Sequence, residues 1–136
     1  MYSFEQIADY LDDIVDRIPQ LYMNRLQGIY LSPDTVHNEK IPSDSYYVAG
    51  RYIVDPPLPP RIELYYGSIA ALYNYVDEPT IRQELRRIVY HELQHHVETE
   101  AGDVTLVLED QRYVQSALKQ LRKNARKQVT KNAATA

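Results

Sequence analysis

His91, Glu92 and His95 stand in the order H-E-x-x-H, the stretch of the chain whose residue types and spacing best suit metal-dependent hydrolysis. On an α-helix, positions four apart lie one turn above each other on one face, so the two imidazoles converge on a single divalent ion. Glu92 is rotated by ~100° from His91. Its carboxylate therefore reaches a water on that ion without ligating the ion itself. Zn2+ lowers the pKa of such a water towards ~7, and a neighbouring carboxylate takes the proton and passes it to the leaving group. The bland alternative is a solvated helix face on which His and Glu happen to cluster. With four His in the whole chain, composition alone produces this order on the order of once per hundred such chains.

A catalytic zinc keeps three protein ligands and one open position. Glu98 is the nearest candidate for the third, three residues after His95 and on the same face. It starts roughly 10 Å along the axis from His91, so it reaches the ion only if the helix bends; otherwise it orients an imidazole. Asp103 and Asp110, beyond the helix, and solvent are the alternatives. His96 reads as a packed, hydrogen-bonded residue rather than a ligand, and His37 as exposed.

The helix that positions this group is expected from Thr80 to about Glu98, opened by Asp77-Glu78-Pro79 and stopped by Gly102. Its buried stripe is Ile81, Leu85, Ile88 and Val89, which Glu92 extends and His91 and His95 border. Arg82, Arg86, Tyr90 and Gln94 point the other way. The motif thus falls on the lip between core and solvent, where a cleft can form.

Ahead of it, Ser3 and Gln6 form a capping box, and Phe4, Ile7, Leu11, Ile14 and Ile18 recur at helical spacing, predicting a helix from Phe4 to Arg17. Pro19 opens a short second helix through Arg25. Gly28–Leu31 reads as a strand closed by Ser32-Pro33-Asp34, and residues 35–45 as a surface loop. Tyr46–Val54 reads as a strand with a bulge at Ala49-Gly50. The proline-rich Asp55–Pro60 is an extended connector. Arg61–Tyr66 alternates and ends at Gly67, the clearest strand, after which Ser68 caps a helix through Tyr75. Past the apolar Val104–Leu108, Asp110 caps a last helix with Tyr113, Val114, Leu118 and Leu121 inward. Helices flanking a few strands make the chain α+β.

Composition bounds the rest. A length of 136 residues, 44% of them hydrophobic and 25% charged, fits one soluble domain. We assign it to residues 1–123, with 124–136 as a basic, disordered tail. The absence of Cys removes disulfides, thiolate nucleophiles and cysteine-ligated metals. No signal peptide or membrane-length apolar run is present, so a cytoplasmic location without membrane association is expected. Thirteen Tyr against one Phe and no Trp predict many half-exposed rings with their hydroxyls bonded. Tyr65, Tyr66 and Tyr113 read first as structural, and each is also a possible oxyanion donor. The last 18 residues carry six basic residues and no acid on an otherwise acidic chain. Nucleic-acid binding through that tail is the less favoured reading.

The run Arg86–Glu98, with its doubled histidine, the strand Pro60–Gly67 and the opening helix with Ile18-Pro19 resemble the small bacterial minimal zincin-like metallopeptidases. The likeness covers residues 3–120. It implies a minimal zincin-like fold, a small sheet packed against helices, with a strand beside the active-site helix on which an extended peptide lies. Many members carry Gly seven positions after the first histidine and an acid shortly after it. Here those positions are Glu98 and Ala101, and Asp110 is a possible displaced counterpart of the acid.

These readings converge on a zinc-dependent metallopeptidase acting on a peptide or protein substrate, with His91, His95 and Glu98 as ligands and Glu92 as general base. A zinc-dependent ribonuclease and a non-catalytic interaction module are the competing expectations. Deformylase-type chemistry is disfavoured, because its usual ligand set includes a cysteine.

Overall fold

Ser3 accepts a hydrogen bond from the Gln6 amide at 3.1 Å while the Gln6 side chain takes the Ser3 amide at 2.8 Å, closing the expected capping box. Helix α1 follows over Phe4–Asp16, with Arg17 as its C-cap. The computed structural model describes residues 1–43, 45–101 and 112–123. Over these the chain is α+β. After α1 come a single 3-10 turn at Gln20–Met23, β1 (Ile29–Ser32), β2 (Gly50–Ile53), β3 (Arg61–Tyr65), α2 (Tyr66–Tyr73), α3 (Glu78–Ala101) and a helix α4 over 112–123.

The sheet has the order β1-β3-β2. β3 pairs parallel with β1 (Leu31 opposite Leu64) and antiparallel with β2 (Gly50 opposite Leu64, Tyr52 opposite Ile62). Period-2 alternation sends Ile62 and Leu64 into the core and puts Arg61 and Glu63 on the other face. Helix α3 lies against the core face. Ile81, Leu85, Ile88 and Val89 of α3 join Ile7 and Leu11 of α1 and Ile62 and Leu64 of β3 in one cluster. That is the stripe expected from sequence, with Leu93 added. Truncating such a side chain, Leu85→Ala for instance, costs about 2–5 kcal/mol in lost transfer energy and cavity.

Three local differences from expectation have physical causes. Tyr46–Val48 does not join the ladder with β3. The Val48 amide donates to Val36 O and the Asn38 amide to Tyr46 O, so this run pairs with the preceding loop instead, and β2 starts only at Gly50. Ser68 is not a cap. Helix α2 already starts at Tyr66, and Ser68 is fully buried, its hydroxyl accepting from the Val36 amide and donating to Val36 O. Gly67 sits against the same segment, where a Cβ would collide with Thr35. In α4 the inward residues are Val114, Ala117, Leu118 and Leu121, while Tyr113 is exposed. Gly102, Asp103, the stretch Val104–Leu108, Asp110 and the tail 124–136 lie outside the described residues.

The tyrosines behave as their chemistry requires. Tyr2 donates to Val76 O and Tyr66 to Tyr2 O, both at 2.6 Å, so the N-terminal segment is tied down by phenols whose rings are half-buried.

Candidate metal centre

Asp77 opens the helix that carries the motif. Its Oδ1 accepts the Thr80 amide at 3.0 Å, and hydrogen bonding from the Thr80 side chain, with that amide, holds the Asp77 carboxyl below the usual range. With Pro79 in the first turn, where no amide donor is needed, α3 runs 24 residues without a break.

The ligand-type atoms of His91, Glu92 and His95 all lie within 4.8 Å of one another. The two imidazoles stand edge to face with centroids 5.1 Å apart. Both are half-buried, whereas Glu92 is only 8% exposed. A carboxylate at that depth is costly unless it is compensated by a partner or an ion, and it lies here among nitrogen donors suited to a divalent metal. Three of the four site residues read from the sequence, His91, Glu92 and His95, are thus brought together by one helical turn.

Glu98 is not one of these three; its Oε1 accepts from Gln94 Nε2 at 3.1 Å. Asp103 and Asp110 fall outside the described residues. His96 is buried and doubly bonded, as expected. Its Nε2 lies 2.7 Å from Asn24 O, and its Nδ1 lies 2.7 Å from the Tyr52 hydroxyl. His37 is exposed and stacks on Tyr47.

The group opens on a groove of about 1140 Å³. One wall is α3, through Arg87, Ile88, His91, Glu92 and His95. The other is the segment Tyr46–Tyr52 at the β2 edge of the sheet. Among the described residues, β3 is the central strand and β2 an edge. The strand beside the metal group is therefore β2, and β3, whose Ile62, Glu63 and Leu64 are paired on both sides, offers no edge to a substrate.

Two features of that wall escaped sequence reasoning. Gly50 crosses α3 so closely that a Cβ there would meet Ile88 Cγ2 at 3.2 Å and Glu92 Cγ at 3.6 Å. The signal was present, since a glycine inside a strand pattern marks close backbone approach as well as a bulge. Tyr52 points to the same side, and its burial pushes the phenol up to about 12. Of the tyrosines considered as oxyanion donors, Tyr65 donates instead to Glu63 on the far face and Tyr66 to Tyr2 O. Tyr113 does line the groove.

No protein-family model matches the chain, and no curated protein matches it. Among solved structures, it is similar to a conserved hypothetical protein from Thermus thermophilus, with a TM-score of 0.65 and 23% identity over 74% of this chain and 98% of that one. At that identity the likeness establishes a shared fold. No helix among the described residues is long and apolar enough to cross a membrane. On these grounds the chain is an α+β protein whose long helix carries a possible metal-binding group at His91, Glu92 and His95.

Proposed function

We propose that this chain is a zinc-dependent peptidase of the zincin type, with residues 1–123 as the catalytic unit. The observation that carries the reading is the clustering of two half-buried imidazoles and one buried carboxylate within 4.8 Å on a groove wall that faces a sheet edge. Zinc fits that donor set, which offers imidazole and carboxylate without thiolate. His91 and His95 hold the ion, and Glu98 is the third ligand, with Asp103 and Asp110 as alternatives. When bound, the ion supplies Lewis-acid polarisation of a water and of the scissile carbonyl.

The chain's own residues do the rest. Glu92, excluded from bulk solvent, accepts the proton of the attacking water and returns it to the departing amine. The edge of β2 gives an extended peptide or protein segment main-chain partners, and so fixes its depth over α3. Gly50 and Ile88 keep the strand and helix in contact, which sets the distance between that segment and Glu92.

Protein purified without an affinity metal should contain about one zinc per chain. Glu92→Gln should keep the metal and lose hydrolysis of a denatured-protein substrate. A Glu92→Gln protein as active as the wild type removes Glu92 from the mechanism, and a wild type that binds no divalent ion removes the reading altogether.

A further inference from the structure

Arg87 lies four residues before His91, hence one turn away on the same face of α3, and lines the same groove. The axial offset is ~6 Å, less than two residues of extended chain. Its guanidinium is held from behind. Nε and Nη2 reach Glu84 Oε2 at 2.9 and 2.8 Å, Nη2 also donates to the Tyr73 hydroxyl at 3.3 Å, and that hydroxyl donates to Glu84 at 3.2 Å. This triangle fixes the plane of the guanidinium while 61% of the side chain remains exposed. Nη1 makes no hydrogen bond among the described residues.

Of the five N–H donors of an arginine, the pair on Nη1 is thus left for a ligand, already oriented. Among the described lining residues the charged side chains are Lys40, Arg51, Arg87 and Glu92, so the groove is more cationic than the acidic chain that builds it.

We infer that Arg87 is a carboxylate-binding subsite, which selects peptides carrying a carboxylate within about two residues of the position held over Glu92. The inference rests on the peptidase reading. The carboxylate comes from an acidic side chain or from the C-terminus of the peptide, two sources with the same chemistry.

The test is equilibrium binding to zinc-loaded Glu92→Gln protein, read by fluorescence anisotropy with three labelled peptide pools. One pool has acidic side chains and an amidated C-terminus, one neutral side chains and a free C-terminus, and one is neutral and amidated. A carboxylate pool should bind about 10-fold tighter than the neutral amide pool, and the advantage should shrink with added salt. Which pool wins identifies the source. Arg87→Gln should abolish the preference and Arg87→Lys should keep part of it, each checked for an intact thermal transition. Should Arg87→Gln fail to fold, Tyr73→Phe, which loosens the clamp, should still reduce the preference.

Equal binding of all pools, no binding of any, or a preference that survives in Arg87→Gln overturns the subsite. The two readings fail separately. An inert wild type with an Arg87-dependent preference refutes the peptidase and leaves the subsite, whereas an active wild type without the preference refutes only the subsite.

Discussion

The hydroxyl of Tyr52 lies 2.7 Å from His96 Nδ1 and so ties the β2 edge to α3 one residue past His95. Because Asn24 O, on the other side of the ring, can only accept, Nε2 carries a proton, and Tyr52 is the partner of Nδ1. Tyr52→Phe leaves a ring nitrogen buried without its partner, which costs about 1–3 kcal/mol. The expected outcome is a lower melting temperature with unchanged zinc stoichiometry, measured by calorimetry and elemental analysis side by side. Loss of zinc in Tyr52→Phe would instead mean that this tie between β2 and α3 positions the metal group.

How this arrangement relates to the sequence is instructive. The stripe Ile81, Leu85, Ile88, Val89 and the placing of His91 and His95 at its border followed from a 3.6-residue period, because a long amphipathic helix has one way to lie on a core. His96 was readable for the same reason. What periodicity cannot report is which neighbour arrives from elsewhere in the chain. The pairing of Tyr46–Val48 with the loop at Val36–Asn38, and the burial of Ser68 beneath that loop, depend on contacts roughly ten to thirty residues apart that leave no local pattern. Arg87 carries no distinguishing pattern either; its role comes from Tyr73, which reaches it from α2 and with Glu84 clamps the guanidinium.

Removing the metal should destabilise the fold by linkage. An ion that binds the native chain at one hundred times its dissociation constant adds about 2.7 kcal/mol, and chelation removes that share. The melting temperature of wild-type protein should therefore fall on adding a chelator, and His91→Ala or His95→Ala should show no such fall. A chelator shift that persists in both variants would place the ion elsewhere.

The third ligand is decided by removing one carboxylate at a time. Glu98→Gln should weaken zinc retention by at least the 10–100-fold typical of lost coordination support, while Asp103→Asn and Asp110→Asn leave it near wild type. Competition with a chromogenic chelator reads the affinity. If Asp110→Asn or Asp103→Asn carries the loss instead, Glu98 is excluded and its bond to Gln94 is a surface contact of the helix.

Acid stability should carry the signature of Glu63. The Arg61 guanidinium at 2.9 Å, with the Tyr65 hydroxyl at 3.0 Å, holds its carboxyl below the usual carboxylate range. A depressed folded-state pKa contributes stability that is present above the unfolded value, ~4.3, and is lost as pH falls through the folded value. Glu63→Gln should therefore lower stability at neutral pH and flatten its decline below pH ~4. The pair is partly exposed, so added salt should shrink the difference. Parallel acid limbs for wild type and variant would assign the decline to other carboxylates.

Gly50 offers the most direct test of how the sheet edge governs the carboxylate. An alanine Cβ would sit 3.2 Å from Ile88 Cγ2 and 3.3 Å from Glu63 O, close enough that β2 or the helix has to give by a few tenths of an ångström. Valine adds two methyl groups where Glu92 Cγ already stands 3.6 Å away, and overpacking of this kind costs about 1–3 kcal/mol. Gly50→Ala should then retain zinc and a near-normal melting temperature while slowing turnover, because the β2 edge shifts relative to Glu92 while His91 and His95 keep their spacing on α3. Gly50→Val should do the same with a clear loss of stability. The decisive measurement is kcat against zinc affinity in the same samples. A parallel fall in both would mean that the strand positions the imidazoles, and unchanged kcat in both variants would show that Glu92 takes its place from α3 alone.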